Sequence, residues 1–206
     1  MNMLTTQDIF QIVDLVTKRT DAVFAYPTET FYGLGARIGD HESLERIIRI
    51  KGRESTKGMI VLVADMAMAK QVAYIDARQQ ALLEHFWPGP LSAVLKARPE
   101  VHALLRVEGK VALRVSPNAV AAALCRALGP ITSTSANLSG QPAARSAHEV
   151  GDHGLDIDAI LDGGLTPGGA PSTVADLTVD PARCIREGAL SWSAIGGRKS
   201  RGNREA

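Results

Sequence analysis

Two cations flank a single glycine at Lys51-Gly52-Arg53, and Lys57 follows shortly after. At the end of a helix, such a pair either complements the helix dipole or clamps phosphate, combining a point charge with a bidentate fork. The run Thr132-Ser133-Thr134-Ser135, ending in Asn137, sets hydroxyls and an amide directly after a short apolar stretch, with Ser139 and Gly140 beyond. These residues are turn formers, and they are also small donors and acceptors suited to phosphates or a polar ligand. Arg114 stands at a strand end, where a guanidinium is either solvated or holds a carboxylate bidentately. Ser172, in Pro171-Ser172-Thr173-Val174, and Arg186 close the set. Together they describe a polar cleft with cations for phosphate, an arginine for carboxylate and hydroxyls for orientation.

Other chemistries find little support. No Gly-x-x-x-x-Gly-Lys-Ser/Thr pattern occurs, which argues against a P-loop NTPase. Gly-x-Ser-x-Gly is absent and no Ser-His-Asp pattern is evident, which argues against a serine hydrolase. The five histidines are scattered without metal-ligand spacing, so no protein-built metal site is expected. Cys125 and Cys184 sit in apolar surroundings and read as buried thiols of a cytosolic protein. A net charge of +1 gives no whole-molecule steering toward nucleic acid. No eighteen-residue apolar run predicts a membrane helix, and the first residues lack a secretory signal, so a cytoplasmic location is expected.

The elements that must position these residues follow from periodicity. Ala22 to Tyr26 reads as a buried strand; Pro27 ends its pairing, and Thr28, Glu29 and Thr30 follow at its tip. Gly33 and Gly35 mark a sharp turn or a close approach. Thr5 or Thr6 is expected to cap a helix with the apolar stripe Ile9, Ile12, Val13 and Val16. Asp40 caps a second helix, running to Lys51, and Asp76 a third that Trp87-Pro88-Gly89-Pro90 stops. Pro117 and Asn118 open another, and Ser146 with Glu149 predicts a capping box for one more. Strands are expected at Met59 to Ala64, Leu91 to Leu95, Val111 to Val115, Ile131, Ala159 to Leu161, Thr173 to Leu177 and Cys184 to Arg186. This alternation predicts an α/β fold. Several strand-to-strand links are too short for helical crossovers, so the sheet should be mixed. From Gly196 to Ala206 the chain is polar and basic and is expected to be a disordered tail.

The ordered motifs resemble the YrdC/TsaC family. Tyr26-Pro27-Thr28-Glu29-Thr30 and Tyr32-Gly33-Leu34-Gly35 resemble its first signature, Lys51-Gly52-Arg53 its Lys-x-Arg and Trp87-Pro88-Gly89-Pro90 its Trp-Pro-Gly-Pro turn. Ser133 to Gly140 resembles its Ser-Ala-Asn motif, and Pro171 to Val174 and Arg186-Glu187-Gly188 its late motifs. Order and spacing agree over residues 6–190, the expected domain. Glu54 stands where the family often has proline.

The resemblance implies a single domain, a twisted mixed sheet flanked by helices around a large basic cavity, in the short bacterial form without the extra C-terminal domain. It implies L-threonylcarbamoyladenylate synthesis from L-threonine, bicarbonate and ATP, for threonylcarbamoyladenosine beside the tRNA anticodon. It assigns Lys51 and Arg53 to catalysis and the triphosphate, Thr134, Ser135, Asn137 and Arg186 to ATP, and Thr28, Arg114 and Ser172 to threonine. Magnesium is expected with ATP, and downstream tRNA threonylcarbamoyltransferase proteins as partners, with weak tRNA or double-stranded RNA binding possible. Two other readings stay open: a non-catalytic RNA-binding module, and a carbamoyl adenylate synthase of hydrogenase-maturation type. The YciO branch lacks a clear Lys-x-Arg and Ser-Ala-Asn pair, both present here.

Overall fold

The computed structural model describes residues 2–5, 8–52 and 58–196. Arg53, Glu54, Lys57, the alternative cap Thr6 and the tail beyond residue 196 lie outside the described residues.

The α/β class holds, with the strands divided between two mixed sheets. In the smaller sheet β1 (Asn2–Thr5), β10 (Ala159–Asp162) and β2 (Phe24–Tyr26) run parallel, while β3 (Gly33–Gly35) and β9 (Thr134–Ser135) continue antiparallel. The larger sheet has the order β12 (Arg183–Arg186), β11 (Thr173–Asp176), β6 (Leu91–Ala97), β7 (Lys110–Arg114), β4 (Ile60–Leu62), β8 (Ile131–Thr132), with β5 (Ala73–Tyr74) on the edge of β6. The chain crosses between sheets at Ser133, the single residue separating β8 from β9.

The helices cover these sheets. An apolar layer from α1 (Ile9–Lys18) and α5 (Ala119–Leu128), including Ile12, Val16, Leu124 and Cys125, packs on Phe24, Tyr26, Leu62 and Leu161. The larger core takes in α2 (His41–Lys51) through Leu44 and Ile47, α3 (Met66–Val72), α4 (Ala77–Phe86) and α6 (Ala147–Asp152). Asp76 makes its capping box with Gln79, and Asn118 caps α5 through the Val120 and Ala121 amides.

Several local expectations change. Asn2 to Thr5 pairs as a strand, so Thr5 does not cap α1; its amide and hydroxyl donate to Asp8 instead. Asp40 precedes α2, but its side chain makes no capping bond. Ser146 accepts the Glu149 amide, yet the Glu149 carboxylate takes the Arg145 amide, leaving the capping box half formed. Gly33 and Gly35 lie within a strand, and the reason for glycine is close approach. A Cβ at Gly35 would fall 2.5 Å from the Phe24 ring, which folds over it from the paired strand. Cys184 is only partly buried, because β12 is an exposed edge strand. Gly196 closes α7 (Trp192–Gly196), so the chain is still helical where a tail was expected to start.

Candidate active site

Mixed pairing gathers the motifs. Because β6 and β7 are antiparallel while β11 runs parallel to β6, the start of β11 lies beside the end of β7. Strand β12 runs antiparallel to β11, so its last residue returns to the same edge. Arg114 at the end of β7, Ser172 just before β11 and Arg186 at the end of β12 therefore converge. Opposite them stand the β2–β3 loop, carrying Thr28 and Thr30, and the Ser133–Asn137 crossover. They enclose a cleft of about 380 Å³ lined by Thr28, Arg114, Ser133, Thr134, Ser135, Asn137, Ser172 and Arg186, with Thr30, Gly33, Gln141 and Pro171 among the other wall residues.

The crossover is held from both sheets. The Ser133 amide donates to Ile60 O at 2.7 Å, and Thr132 Oγ1 donates to Leu34 O at 3.0 Å while accepting the Ala36 amide at 3.0 Å. The Tyr26 hydroxyl donates to Thr132 O at 2.8 Å, and burial raises its pKa well above the ordinary tyrosine value. Absence of a side chain at Gly33 leaves room for the Ser133 hydroxyl, which a Cβ there would meet at 3.2 Å. Tyr32, whose pKa burial raises to about 12, donates to Gly164 O at 2.8 Å and accepts the Gly163 amide at 3.0 Å. It thereby ties the β3 entrance to the loop after β10.

Lys51 is placed differently from its neighbours. It is 4% exposed and is not in the cleft wall. Gly52 ends α2 in the left-handed region, at φ 56°, with its amide on Arg49 O. The Lys51 ammonium reaches Ser135 O at 2.7 Å, Asn137 O at 2.6 Å and Asn137 Oδ1 at 2.7 Å. Lys51 thus grips the back of the loop whose front faces the cleft. The Ser135 hydroxyl donates to Asn137 Oδ1 at 2.6 Å, and the Asn137 amide nitrogen donates to Gln141 O.

The threonine candidates are also engaged. Thr28 Oγ1 donates to Phe31 O at 2.7 Å and accepts the Thr30 amide at 3.2 Å, closing the turn at the tip of β2. Ser172 Oγ lies 2.8 Å from Ser92 Oγ. Arg114, 4% exposed, sets Nη1 3.2 Å from Glu29 Oε1 and donates through Nη2 to Ser133 Oγ at 3.2 Å. Arg186 donates to Ser172 O at 2.8 Å, and Gly188 passes so close to Pro171 that a Cβ would meet its carbonyl at 2.0 Å. Burial, with the Arg114 charge alongside, holds the Arg186 guanidinium below the usual arginine range.

The structure thus brings Thr28, Arg114, Thr134, Ser135, Asn137, Ser172 and Arg186 into one cleft, places Lys51 behind its wall, and leaves Arg53 outside the described residues. Sequence reasoning counted Ser133 in the candidate hydroxyl run without giving it a role of its own, and did not single out Glu29, Ser116 or Gln141 as site residues. Glu29 and Ser133 lay within motifs already quoted, while Ser116 and Gln141 carry no local signal. No group of three His, Cys, Asp or Glu suited to a metal occurs among the described residues. None of the described helices is long and apolar enough to cross a membrane.

Known proteins are similar to this chain in sequence and in fold. Threonylcarbamoyl-AMP synthase of Chromohalobacter salexigens is 39% identical over 171 residues, covering 81% of this chain and 92% of that one. Among solved structures, Pyrococcus abyssi Sua5 complexed with L-threonine superposes with a TM-score of 0.87 at 33% identity, covering 95% of this chain and 59% of that one. E. coli YciO superposes with a TM-score of 0.84 at 31% identity, covering 94% and 98%. The family model Sua5_yciO_yrdC, described as "Telomere recombination", matches residues 17–188, and the chain belongs to that family.

Proposed function

We propose that this chain is an L-threonylcarbamoyladenylate synthase, forming threonylcarbamoyl-AMP and pyrophosphate from L-threonine, bicarbonate and ATP. The observation that carries the reading is one cleft holding a carboxylate-type arginine, Arg114, a second guanidinium, Arg186, and the hydroxyl-rich Ser133–Asn137 crossover. The relatives' name and the threonine-bound Sua5 support it. Lys51-Gly52-Arg53 and Ser135-Ala136-Asn137 favour this branch over YciO.

Arg114 takes the α-carboxylate of threonine, with Thr28 and Ser172 flanking it. Bicarbonate and the amine condense with loss of water to an N-carboxy-threonine, whose new carboxylate attacks the α-phosphorus of ATP as pyrophosphate leaves. Such chemistry depends on positioning and on stabilising charge in a dry site. Phosphate oxygens are assigned to Arg186 and, from the Lys-x-Arg motif alone, to Arg53; Thr134, Ser135 and Asn137 hold the nucleotide, and Lys51 acts through the loop it grips. Magnesium enters as MgATP, part of the substrate. The adenylate then passes to downstream tRNA threonylcarbamoyltransferase proteins in the cytoplasm.

The test is pyrophosphate release with MgATP, L-threonine and bicarbonate, each omitted in turn and with no RNA present. Release requiring all of them is expected, with serine a poor substitute. Release indifferent to threonine refutes the reading. A requirement for carbamoyl phosphate instead points to the hydrogenase-maturation type, and no turnover with RNA binding points to a non-catalytic module.

A further inference from the structure

Among the described residues, two buried side-chain polar atoms have no hydrogen bond, and they belong to one couple: Glu29 Oε1 and Arg114 Nε. Stripping a polar group of water without replacing the bond is costly, so such atoms are uncommon and cluster where a ligand completes them.

The couple is otherwise firmly built. Nη1 of Arg114 lies 3.2 Å from Glu29 Oε1, a contact of charge and not an aligned hydrogen bond. Glu29 Oε2 accepts from the Ser116 hydroxyl, whose oxygen accepts the Asn118 amide at 3.1 Å, at the N-cap of α5. Glu29 is thereby anchored to a helix start. Arg114 and Ser133 line the cleft and Glu29 does not, so the carboxylate stands behind the guanidinium. With Nη1 turned to Glu29 and Nη2 on the Ser133 hydroxyl, Nε is left buried and without a hydrogen bond.

We infer that Glu29 is a positioning residue for the amino-acid subsite: it holds the Arg114 guanidinium in the cleft wall and neutralises its charge, so the subsite selects a zwitterion over a simple carboxylate. This rests on the threonine reading above. A neutral Arg–Glu couple accepts a zwitterion without leaving net charge, whereas a lone monoanion leaves one negative charge in a poorly solvated site. Removing the Glu29 charge reverses that balance, since a bare Arg114 is matched by a monoanion and left positive by a zwitterion. Arg186, which donates to Ser172 O and has no ion pair among the described residues, stays the uncompensated cation for phosphate.

The experiment is calorimetric binding of L-threonine and of 3-hydroxybutyrate, the same skeleton without the amine, to wild type, Glu29→Gln, Glu29→Asp and Ser116→Ala. Thermal unfolding serves as the folding control. Wild type should favour threonine. Glu29→Gln should lower the threonine-to-hydroxybutyrate affinity ratio about tenfold or more, equal to about 1.4 kcal/mol. Glu29→Asp keeps the charge and should keep the ratio while weakening both ligands. ATP affinity should stay within about twofold in every variant, a change below about 0.4 kcal/mol. A merely structural role would weaken both ligands alike, so a folded Glu29→Gln with an unchanged ratio overturns the inference. If Glu29→Gln does not fold, Ser116→Ala decides: a threefold or so weaker threonine affinity is expected, about 0.65 kcal/mol, and no change overturns the anchoring. Wild type with no threonine-dependent turnover would instead overturn the function itself.

Discussion

Replacing Lys51 should unfold the protein several degrees earlier, and the reason lies in the acceptors it satisfies. If the ammonium only complemented the α2 dipole, Lys51→Ala would cost at most about 1 kcal/mol. The structure gives it Ser135 O, Asn137 O and Asn137 Oδ1 within 2.6 to 2.7 Å in a buried setting. Asn137 Oδ1 keeps the Ser135 hydroxyl and Ser135 O keeps the Asn137 amide, so Asn137 O is the acceptor left orphaned, at about 1–3 kcal/mol, while the other two each lose a hydrogen bond to a charged group, worth about 1.5–3 kcal/mol. Two effects offset part of that sum: the buried charge and its desolvation penalty also disappear, and water can enter the space left by the side chain. A net loss of about 2–4 kcal/mol follows, and at about 2–4 °C per kcal/mol for a domain of this size the midpoint should fall by about 4–16 °C. Thermal and urea unfolding of Lys51→Ala and Lys51→Met, followed by circular dichroism, measure this directly. Pyrophosphate release should fail in the same variants, because the Ser133–Asn137 crossover loses its rear support. Arg53→Ala is the comparison, expected to lose rate at near-normal stability. A Lys51→Ala midpoint within about 3 °C of wild type would refute the argument and return Lys51 to a role of charge alone.

Two further outcomes are accessible with ordinary measurements. Asp176 is buried, and although burial alone would raise its pKa, hydrogen bonds from the Thr178 hydroxyl and amide and from Lys110 hold it below the usual carboxylate value. A carboxyl lowered on folding contributes stability that is full above its unfolded pKa, about 3.9, and is lost as pH falls through the folded value. Asp176→Asn should therefore cost about 1–3 kcal/mol at pH 7 and lose less further stability than wild type between pH 5 and pH 3; parallel acid limbs in the two proteins would refute it. The Cys125 thiol is pushed up to about 12 by burial, whereas Cys184 sits on the exposed edge strand β12. Titration of native protein with a thiol reagent at pH 8 should modify Cys184 alone, and Cys125 only after denaturation; two fast-reacting thiols would contradict the packing.

The motifs that line the cleft were legible because each combines a strand end with residues of obvious chemistry, as in Tyr26-Pro27-Thr28 or Val111 to Arg114. The alternation of apolar strands and capped helices was legible for the same local reason, and the Asp76 and Asn118 caps lie where their side chains demand. What the sequence concealed is non-local. The short strand at Asn2 to Thr5 exists only because β10 offers it a parallel partner. Nothing in Met66 to Val72 marks a helix strongly, yet Asp65 caps it through the Met68 amide. Ser133 alone separates β8 in one sheet from β9 in the other, and a polar run such as Thr132 to Ser135 gives no hint that its two halves pair with different strands.

The same non-local pairing gives some site residues neighbours that the sequence does not announce. Lys51 is delivered by α2 to the carbonyls of the crossover, a contact that the Lys51-Gly52-Arg53 motif does not reveal. An arginine at the end of β7 reads as a bare cation, but the β2–β3 loop sets Glu29 against it and the start of α5 fixes Glu29 through Ser116. Charge in this cleft is therefore divided by topology. Among the described residues Arg114 is paired with Glu29, whereas Arg186, which the antiparallel return of β12 brings to the same edge, has no ion pair.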